Sequence, residues 1–258
     1  MSAEATAAAP PSWPDHLGRL ILQTTDSTMA EAARRAPDLA GPTWICAQEQ
    51  TAARGRRGRT WVMPPGNFAA SLILRPTGTA AETALRSFVA ALGLRDALSG
   101  VTGGMGALSL KWPNDVLLNG GKVAGILLES TGAAGRIDTL VIGIGVNLAA
   151  APAAAELEPG AVPPVSVAGE TGVSVAPETF LTHLATAYDH WERVYTQQGF
   201  APIRRAWLAD AARLGETITA RTPRDSITGT FVDVDSDGQL VLETAHGPQK
   251  IAAADIFF

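Results

Sequence analysis

The order of apolar segments along the chain constrains its fold more than any other feature. Strand-like segments, separated by two helical ones, occupy most of residues 18–146, and two long helical patterns follow. From residue 217 onward the pattern changes to short strands separated by turns such as Asp237-Gly238 and His246-Gly247. This order predicts an α+β unit followed by a small β-barrel module.

Hydrophobic periodicity and turn residues define the individual elements. In the α+β unit we predict strands at residues 18–22, 44–48, 67–74, 108–112, 122–130 and 137–146. We predict helices at residues 28–35, 81–98, 177–197 and 202–214. The first helix is expected to begin at Thr28, because Thr28 and Glu31 have capping-box spacing. In the C-terminal module we predict strands at residues 217–220, 226–234, 239–243 and 249–252.

Two segments rich in Ala and Pro are expected to lack regular structure. We predict a disordered tail at residues 1–18 and an irregular connection at residues 149–169. The tail has neither a basic segment nor an apolar core, so we expect no secretory signal. The rest of the chain is predicted to divide into one domain at residues 19–212 and a second at residues 213–258.

The composition excludes several classes of protein. Hydrophobic residues make up 46% of the chain and charged residues 17%, the balance of a globular protein rather than a disordered one. The net charge of −5 gives no general support for binding a nucleic acid. No apolar run reaches the roughly 18 residues of a membrane-spanning helix, so we expect no membrane contact. The single cysteine, Cys46, excludes an intrachain disulfide and favours a cytoplasmic location.

Residues 54–61 form the most specific motif, with four arginines and two glycines in the first six positions. Guanidinium groups bind carboxylates and phosphates through paired hydrogen bonds, and glycines let a backbone approach a ligand closely. A charge run is usually a solvated surface, and a linear nucleic-acid patch is the other plain alternative. The position of this run between two predicted strands of an acidic protein favours a mobile loop that binds an anionic ligand.

The second motif is Lys111-Trp112-Pro113-Asn114-Asp115, followed by Lys122-Val123-Ala124-Gly125-Ile126-Leu127. Pro113 ends strand pairing, which places the two polar residues after it at a strand end. By itself the string fits an Asx turn, and the lysine at 122 fits an exposed hairpin residue after Asn119-Gly120-Gly121. The two strings together make these structural alternatives weak.

The glycines of the last long strand carry a separate signal. Gly143 and Gly145 lie within an apolar segment, where glycine usually marks the close approach of another backbone or a ligand. No third glycine and no helix follow at the spacing of a dinucleotide-binding fold. Val123 stands where a P-loop has Ser or Thr after its Gly-Lys pair. We therefore expect neither of these nucleotide motifs, and no histidine-based metal site.

Together the two motifs resemble those of biotin–protein ligases, and the similarity covers roughly residues 19–258. The resemblance implies a mixed β-sheet flanked by helices, similar to lipoate ligases and class II tRNA synthetases, with a small SH3-like C-terminal barrel. It implies that biotin and ATP react to give biotinoyl-5′-AMP and pyrophosphate, with Mg²⁺ on the phosphates. The biotinoyl group would then pass to a lysine on the biotin carboxyl-carrier domain of an acyl-CoA carboxylase.

The resemblance also assigns roles to individual residues. Those implied as catalytic are Lys122, Arg56, Asp115 and Asn114. Those implied around biotin are Ser27, Thr28, Met29, Gln50, Arg54, Gly55, Arg56, Lys122, Gly125, Leu127 and Gly143. Those implied around ATP and the adenylate are Arg54, Arg56, Arg57, Arg59, Trp61, Asn114, Lys122 and Asn147. No residue is implied as a resident metal ligand.

The chain departs from the family pattern in two places. Ala53 stands where the family usually has a glycine before the Arg-Gly-Arg string, and alanine tolerates positive φ poorly, so the loop is expected to hinge differently. Many bacterial members begin with a helix-turn-helix, and the 18 residues before the first strand are too few for one. We therefore expect no sequence-specific DNA binding.

We consider two alternative functions, one of the same superfamily and one of a different class. A lipoate or octanoate–protein ligase of the same superfamily is disfavoured, because neither is known to combine both motifs. A non-catalytic biotin- or nucleotide-binding module, or an RNA binder that uses the arginines, is disfavoured by the net charge of −5 and by the intact Lys122.

Overall fold

A seven-stranded mixed sheet forms the centre of the larger part of the molecule. The structure is a computed structural model that describes residues 5–6, 10–133, 136–152, 162–222 and 224–258. A two-residue strand, β1 (Ala5–Thr6), precedes the sheet. The seven strands of the sheet are β2 (Gly18–Thr25), β3 (Thr43–Gln50), β4 (Phe68–Leu74), β5 (Leu108–Lys111), β6 (Asp115–Leu118), β7 (Gly121–Ala133) and β8 (Arg136–Val146). Their order is β2-β3-β4-β8-β7-β6-β5, and all neighbours are antiparallel except β2 and β3.

Helices cover both faces of this sheet, which confirms the predicted fold class. The helices are α1 (Thr28–Arg35), α2 (Ala80–Ala84), α3 (Arg86–Thr102), α4 (Val167–Thr171), α5 (Pro177–Gln198) and α6 (Phe200–Ala209). On one face, α3 and α5 pack on the large side chains of alternate strand positions, with Trp44 against Tyr188 and Phe68 against Phe180. On the other face, α1 covers only part of the sheet and packs on Ile45. The uncovered remainder of that face is where a cavity forms.

The start of α1 differs from the prediction in its capping residue. The N-cap is Ser27, whose hydroxyl accepts a hydrogen bond from the backbone N–H of Ala30 at 3.4 Å. Thr28 is the first helical residue, and Glu31 forms ion pairs with Arg34 and Arg35 instead of closing a capping box. The predicted box was wrong because the preceding hydroxyl residue, Ser27, takes the N-cap position, and Ala30, which then stands at N3, has no carboxylate to close a box.

A five-stranded antiparallel sheet makes up the C-terminal module. A short strand, β9 (Val173–Ser174), pairs with β1, and the module then contains β10 (Thr217–Arg221), β11 (Ser226–Val234), β12 (Leu240–Thr244), β13 (Gly247–Ile251) and β14 (Asp255–Phe257), in the order β13-β12-β11-β10-β14. The module docks on the larger part through Trp112, whose indole N–H donates to the Gly238 carbonyl at 3.0 Å, and through hydrogen bonds from Arg204 to Asp233 and to the Val234 carbonyl. Its buried side chains continue the core of the larger part.

Several predicted boundaries are corrected. The helix predicted at 81–98 is two helices, α2 and α3, and the one predicted at 202–214 begins and ends earlier as α6. The strand β6, the helix α4 within the predicted irregular connection, and the last strand β14 were not predicted. The central part of that connection, residues 153–161, lies outside the described residues.

The folded chain begins before the predicted boundary at residue 18. The indole N–H of Trp13 donates to the Leu17 carbonyl at 2.7 Å, and His16 Nε2 lies 2.9 Å from Asp189 Oδ1 on α5. Residues 1–4 and 7–9, which the same prediction covers, lie outside the described residues. Within the described part of the chain, no helix has the length and apolarity to cross a bilayer.

The packing of α3 on α5 gives a prediction about stability. A Cβ atom at Gly93 would lie 2.9 Å from the Tyr188 Cα, a backbone atom, so a side chain there forces the two helices apart. We expect Gly93→Val to lower the free energy of unfolding by about 1–3 kcal/mol, the usual cost of overpacking a core. Urea denaturation measures this, with Gly41→Val as the control, because a Cβ at Gly41 meets no atom within 4 Å. Equal effects at both positions would contradict the packing argument.

Candidate active site

The cavity on the α1 face of the sheet has a volume of about 570 Å³ and owes its space to small residues. Gly145 lies opposite Ala69 on β4 and opposite Gly125 on β7, and Gly143 lies opposite Leu127 on β7. Residues paired across strands share a face, so these positions all point to the cavity. The alternate positions carry the large residues that pack on α3 and α5. One face of the central strands therefore forms the floor of the cavity, and the opposite face forms part of the hydrophobic core.

The closed end of the cavity is polar and lies at the start of α1. The backbone N–H of Thr28 donates to Gln50 Oε1 at 2.7 Å, and the Ser71 hydroxyl donates to Thr28 Oγ1 at 2.8 Å. The Thr28 hydroxyl accepts that bond and keeps its own proton to donate. Ser27 and Thr28 are only 5% and 3% exposed. This end can therefore both donate hydrogen bonds to a small polar group and accept them from it.

Two large side chains occupy the space that the glycines leave. A Cβ at Gly143 would lie 2.6 Å from Met29 Sδ, and a Cβ at Gly145 would lie 2.5 Å from the Trp61 ring. We predicted the close approach of a backbone or a ligand at these glycines, and the groups that approach them here are instead the side chains of Met29 and Trp61. Trp61 also lies near Lys122, whose Nζ is 5.8 Å from the ring centroid.

Asp115 lies between two lysines at the middle of the cavity. Lys122 Nζ is 2.7 Å from Asp115 Oδ1, and Lys111 Nζ is 3.8 Å from Asp115 Oδ2. Lys111 pairs with Asp115 across β5 and β6, so strand register brings the lysine and the carboxylate together. Burial lowers the pKa of Lys111, and the nearby Asp115 carboxylate partly opposes that shift. The arrangement holds two cations and one anion at the point where the polar end meets the arginine loop.

Asn114 connects the sheet to the arginine loop. Its amide donates to the Ile126 carbonyl at 2.6 Å, and its side-chain oxygen accepts a hydrogen bond from Arg56 at 3.2 Å. The Ile126 N–H in turn donates to the Asn114 carbonyl at 2.9 Å. Burial lowers the pKa of Arg56, and Asp255 is the largest opposing charge. Asn114 thus orients a partly buried guanidinium toward the cavity.

The arginine loop folds back on itself as a short irregular hairpin. Arg54 and Thr60 form an isolated antiparallel bridge, and the Trp61 N–H donates to the Ala53 carbonyl at 3.1 Å. The positive φ angles of the loop occur at Arg57 (57°) and Gly58 (72°), not at Ala53. Ala53, which replaces the family's usual glycine, therefore does not adopt the left-handed conformation that alanine tolerates poorly, and the expectation that the loop hinges differently stays a prediction.

Arg57 is the one predicted site residue that does not line the cavity. Its guanidinium lies 2.6 Å from Asp255 Oδ2 on β14, in the C-terminal module. Arg59 lines the cavity and also approaches the same oxygen at 3.1 Å, and Arg56 lies 3.9 Å from Asp255 Oδ1. In this conformation Arg57 forms an ion pair with a carboxylate that is distant in sequence, so its contact with ATP stays a prediction. Arg54 pairs with Glu129 at 3.2 Å.

Asn147, predicted beside the nucleotide, is already engaged by the protein. Its side-chain amide donates to the Val165 carbonyl at 3.0 Å and its side-chain oxygen accepts from Asn67 at 3.4 Å. Asn147 is 2% exposed, although it lines the cavity. In this conformation it braces residues 162–167 against the end of β8, so its role toward a nucleotide stays a prediction.

Apart from Arg57, every predicted residue lines the one cavity. They are Ser27, Thr28, Met29, Gln50, Arg54, Gly55, Arg56, Arg59, Trp61, Asn114, Asp115, Lys122, Gly125, Leu127, Gly143 and Asn147. Polar or aromatic lining residues that sequence reasoning missed are Thr60, Lys111, Asp255 and Phe257. Lys111 begins the second motif and could have been included, whereas no local pattern marks the two residues of β14.

Comparisons with known proteins agree with this architecture. The profile of the biotin/lipoate A/B protein ligase family matches residues 18–147, and that of the biotin protein ligase C-terminal domain matches residues 214–258. The structure resembles a biotin protein ligase from Aquifex aeolicus, solved in complex with biotin and ATP, with a TM-score of 0.77 at 24% identity. That match covers 93% of this chain and 97% of the other, and it concerns the fold alone.

Two relatives are similar in sequence over most of this chain. The chain is 57% identical over 238 residues to a biotin–[acetyl-CoA-carboxylase] ligase of Paracoccus denitrificans, covering 92% of this chain and 99% of that one. It is 34% identical over 240 residues to the bifunctional ligase/repressor BirA of Bacillus subtilis, covering 92% of this chain and 71% of that one. These matches confirm the resemblance carried by the arginine loop and the Lys111–Asp115 string. The chain therefore belongs to the biotin/lipoate A/B protein ligase family.

Proposed function

We propose that this chain joins biotin to ATP and transfers the biotinoyl group to a lysine on the biotin carboxyl-carrier domain of an acyl-CoA carboxylase. The observation that carries the proposal is the single cavity that joins a small polar chamber to a cluster of lysines and arginines. The relative from Paracoccus denitrificans, 57% identical, is a biotin–[acetyl-CoA-carboxylase] ligase, which supports biotin over lipoate.

In this proposal the polar end of the cavity holds the ring system of biotin. A cyclic urea presents one carbonyl acceptor and two N–H donors, which fits the Thr28 hydroxyl and the oxygens of Ser27 and Gln50. The bicyclic ring and the acyl chain would lie beside Met29 and Leu127, along the floor where Gly143 and Gly125 carry no side chains. The carboxylate at the end of that chain would then reach Lys122.

The first step is attack of the biotin carboxylate on the α-phosphorus of ATP. An oxygen–phosphorus bond forms, the bond between the α- and β-phosphates breaks, and pyrophosphate leaves. Two anions must approach each other, so the step needs fixed positive charge around the α-phosphate. Lys122 and Arg56 supply that charge from partly buried positions, with Asn114 orienting Arg56. Trp61, above Gly145 and Gly125, provides a flat surface beside which the adenine would lie.

Mg²⁺ would arrive on the phosphates of ATP and neutralise the departing pyrophosphate. The carboxylates beside the phosphate end, Asp115 and Asp255, both pair with cations. Within the described residues, no three histidine, cysteine or acidic side chains form a group able to hold a metal ion. This donor set fits a metal held by phosphate and water rather than by a protein cage.

In the second step the amine of the carrier lysine attacks the acyl carbon of the adenylate, and AMP leaves. The amine must first be neutral, and it loses a further proton on forming the amide. Asp115 lies at the acyl end of the proposed adenylate and is the carboxylate placed to orient the amine or accept that proton. Its ion pair with Lys122 must loosen as Lys122 turns to the phosphate, which frees one carboxylate oxygen for the amine.

We also propose that the protein works in the cytoplasm and does not bind DNA specifically. Cys46 is buried and unpaired, and burial raises the pKa of its thiol to about 12, which suits a structural residue. The division into domains at residues 19–212 and 213–258 remains part of the proposal. The docking of the C-terminal module through Trp112 and Arg204 makes the two parts a continuous core.

The role of Lys122 gives the first prediction about activity. We expect Lys122→Ala to reduce biotin- and ATP-dependent pyrophosphate release by about a hundredfold or more, because it removes charge aimed at the reacting phosphate. The control is Lys250→Ala, since Lys250 also pairs with an aspartate, Asp235 at 3.0 Å, but lies outside the cavity. Pyrophosphate release by Lys122→Ala at the wild-type rate would contradict the proposed adenylation site.

The role of Asp115 is tested by separating the two half-reactions. We expect Asp115→Asn to slow transfer from preformed biotinoyl-5′-AMP to the carrier domain by about a hundredfold, the usual effect of losing a general base. Asp210→Asn is the control, because Asp210 pairs with Arg95 at 3.2 Å outside the cavity. Single-turnover transfer at the normal rate by Asp115→Asn would show that the carboxylate takes no part in the second step.

A further inference from the structure

We propose that Asp255, in the C-terminal module, is a positioning residue for the arginine loop and thereby sets the affinity for ATP. The inference rests on the proposed function, because it concerns the same arginines that would bind the triphosphate. Asp255 accepts hydrogen bonds from Arg57 at 2.6 Å and Arg59 at 3.1 Å, and lies 3.9 Å from Arg56. One carboxylate thus faces three of the four arginines of the loop.

The loop needs such a partner because its charges repel one another. Four guanidinium groups occur within six residues, and Arg57 adopts the left-handed conformation that a non-glycine residue avoids unless it is held there. The exposed fractions of the Arg57 and Arg59 side chains are 39% and 65%. Solvent therefore weakens the Arg59 pair more, and the Arg57 pair is the main anchor.

Asp255 has a rigid support. Its neighbours Ala254 and Ile256 are buried, at 0% and 4% exposed. The backbone of Asp255 lies opposite that of Arg221, where β14 pairs with β10. The Asp255 side chain is only 18% exposed. A carboxylate fixed to a sheet can hold Arg57 and Arg59 in place, whereas a mobile surface side chain cannot.

The contact with Asp255 matters because it holds Arg57 apart from the arginines that line the cavity. Arg57 pairs with Asp255 and does not itself line the cavity, while Arg54, Arg56 and Arg59 do. Holding Arg57 in place fixes which guanidinium groups of the loop face the cavity. A triphosphate then meets a preformed site, and less of its binding free energy is spent on ordering the loop. The C-terminal module thereby takes part in nucleotide binding through the arginine loop.

Two measurements test the role of Asp255, and the first does not depend on catalysis. Trypsin cleaves after arginine, so we expect Asp255→Asn to speed cleavage at residues 54–59 in the ligand-free protein, with sites assigned by mass spectrometry. The control is Glu243→Gln, which makes the same charge change on an exposed strand residue of the same module. Urea denaturation of each variant confirms that both remain folded.

The second measurement is steady-state pyrophosphate release. We expect Asp255→Asn to raise the KM for ATP by about five- to tenfold, the loss expected when a charge-assisted contact is weakened. The kcat and the Kd for biotin alone should change less than about twofold, because no reacting group is altered. Asp255→Glu should recover most of the affinity, and Arg57→Gln combined with Asp255→Asn should be no worse than either change alone.

Several outcomes would overturn the role of Asp255. One is that Asp255→Asn changes neither the trypsin cleavage nor the KM for ATP. Another is that it lowers the KM for ATP, which would mean that Asp255 competes with phosphate. A third is that Glu243→Gln has effects equal to those of Asp255→Asn. A wild-type protein that releases no pyrophosphate from biotin and ATP would refute the proposed function instead. The cleavage experiment would still decide whether Asp255 holds the loop.

Discussion

The site depends on holding several positive side chains close together before any anionic ligand arrives. Lys111, Lys122 and Arg56 surround Asp115 and Asn114 at the centre of the cavity. Burial lowers the pKa of Lys111 and of Arg56, which is the electrostatic cost of removing these cations from water. Asp115 on β6 and Asp255 on β14 oppose this shift, so the sheet and the C-terminal module both contribute to the cationic site.

The second constraint is space, and the backbone meets it with small residues. Gly125, Gly143, Gly145 and Ala69 face the cavity on three adjacent strands, while their neighbours in sequence face the core with α3 and α5. The same strands therefore stabilise the fold with one set of alternate residues and shape the site with the other. Met29 and Trp61 fill two places over the glycines, so a side chain added at Gly143 or Gly145 meets them directly.

Residues that lie close together in sequence could be assigned to this site, whereas contacts between distant segments could not. Strand periodicity located β7 and β8, and the two motifs located residues that lie close together in sequence, such as Asn114 and Asp115. The contact between Arg57 and Asp255 spans 198 positions and follows from no local pattern, so the sequence did not indicate it. Likewise β6 is only four residues long, and α4 follows a segment rich in Ala and Pro that shows no helical period.

The side-chain hydrogen bonds could not be predicted for a related reason. The resemblance places Asn147 beside a nucleotide, and nothing in the sequence indicated that its side chain also bonds to Val165 and Asn67, which other segments supply. Ser27 and Thr28 were both expected in the site, yet which of them caps α1 depends on backbone angles that the spacing does not determine. Residue types were thus predictable, whereas their partners required the three-dimensional structure.

Mass spectrometry of a carrier domain incubated with this protein, ATP and Mg²⁺ tests the central claim most directly. The reaction is run with biotin and, separately, with lipoate. The account predicts that biotin adds one biotinoyl group to a single lysine and that lipoate adds nothing. Transfer of lipoate at a comparable rate, or no transfer of biotin by a folded protein that binds it, would contradict the account.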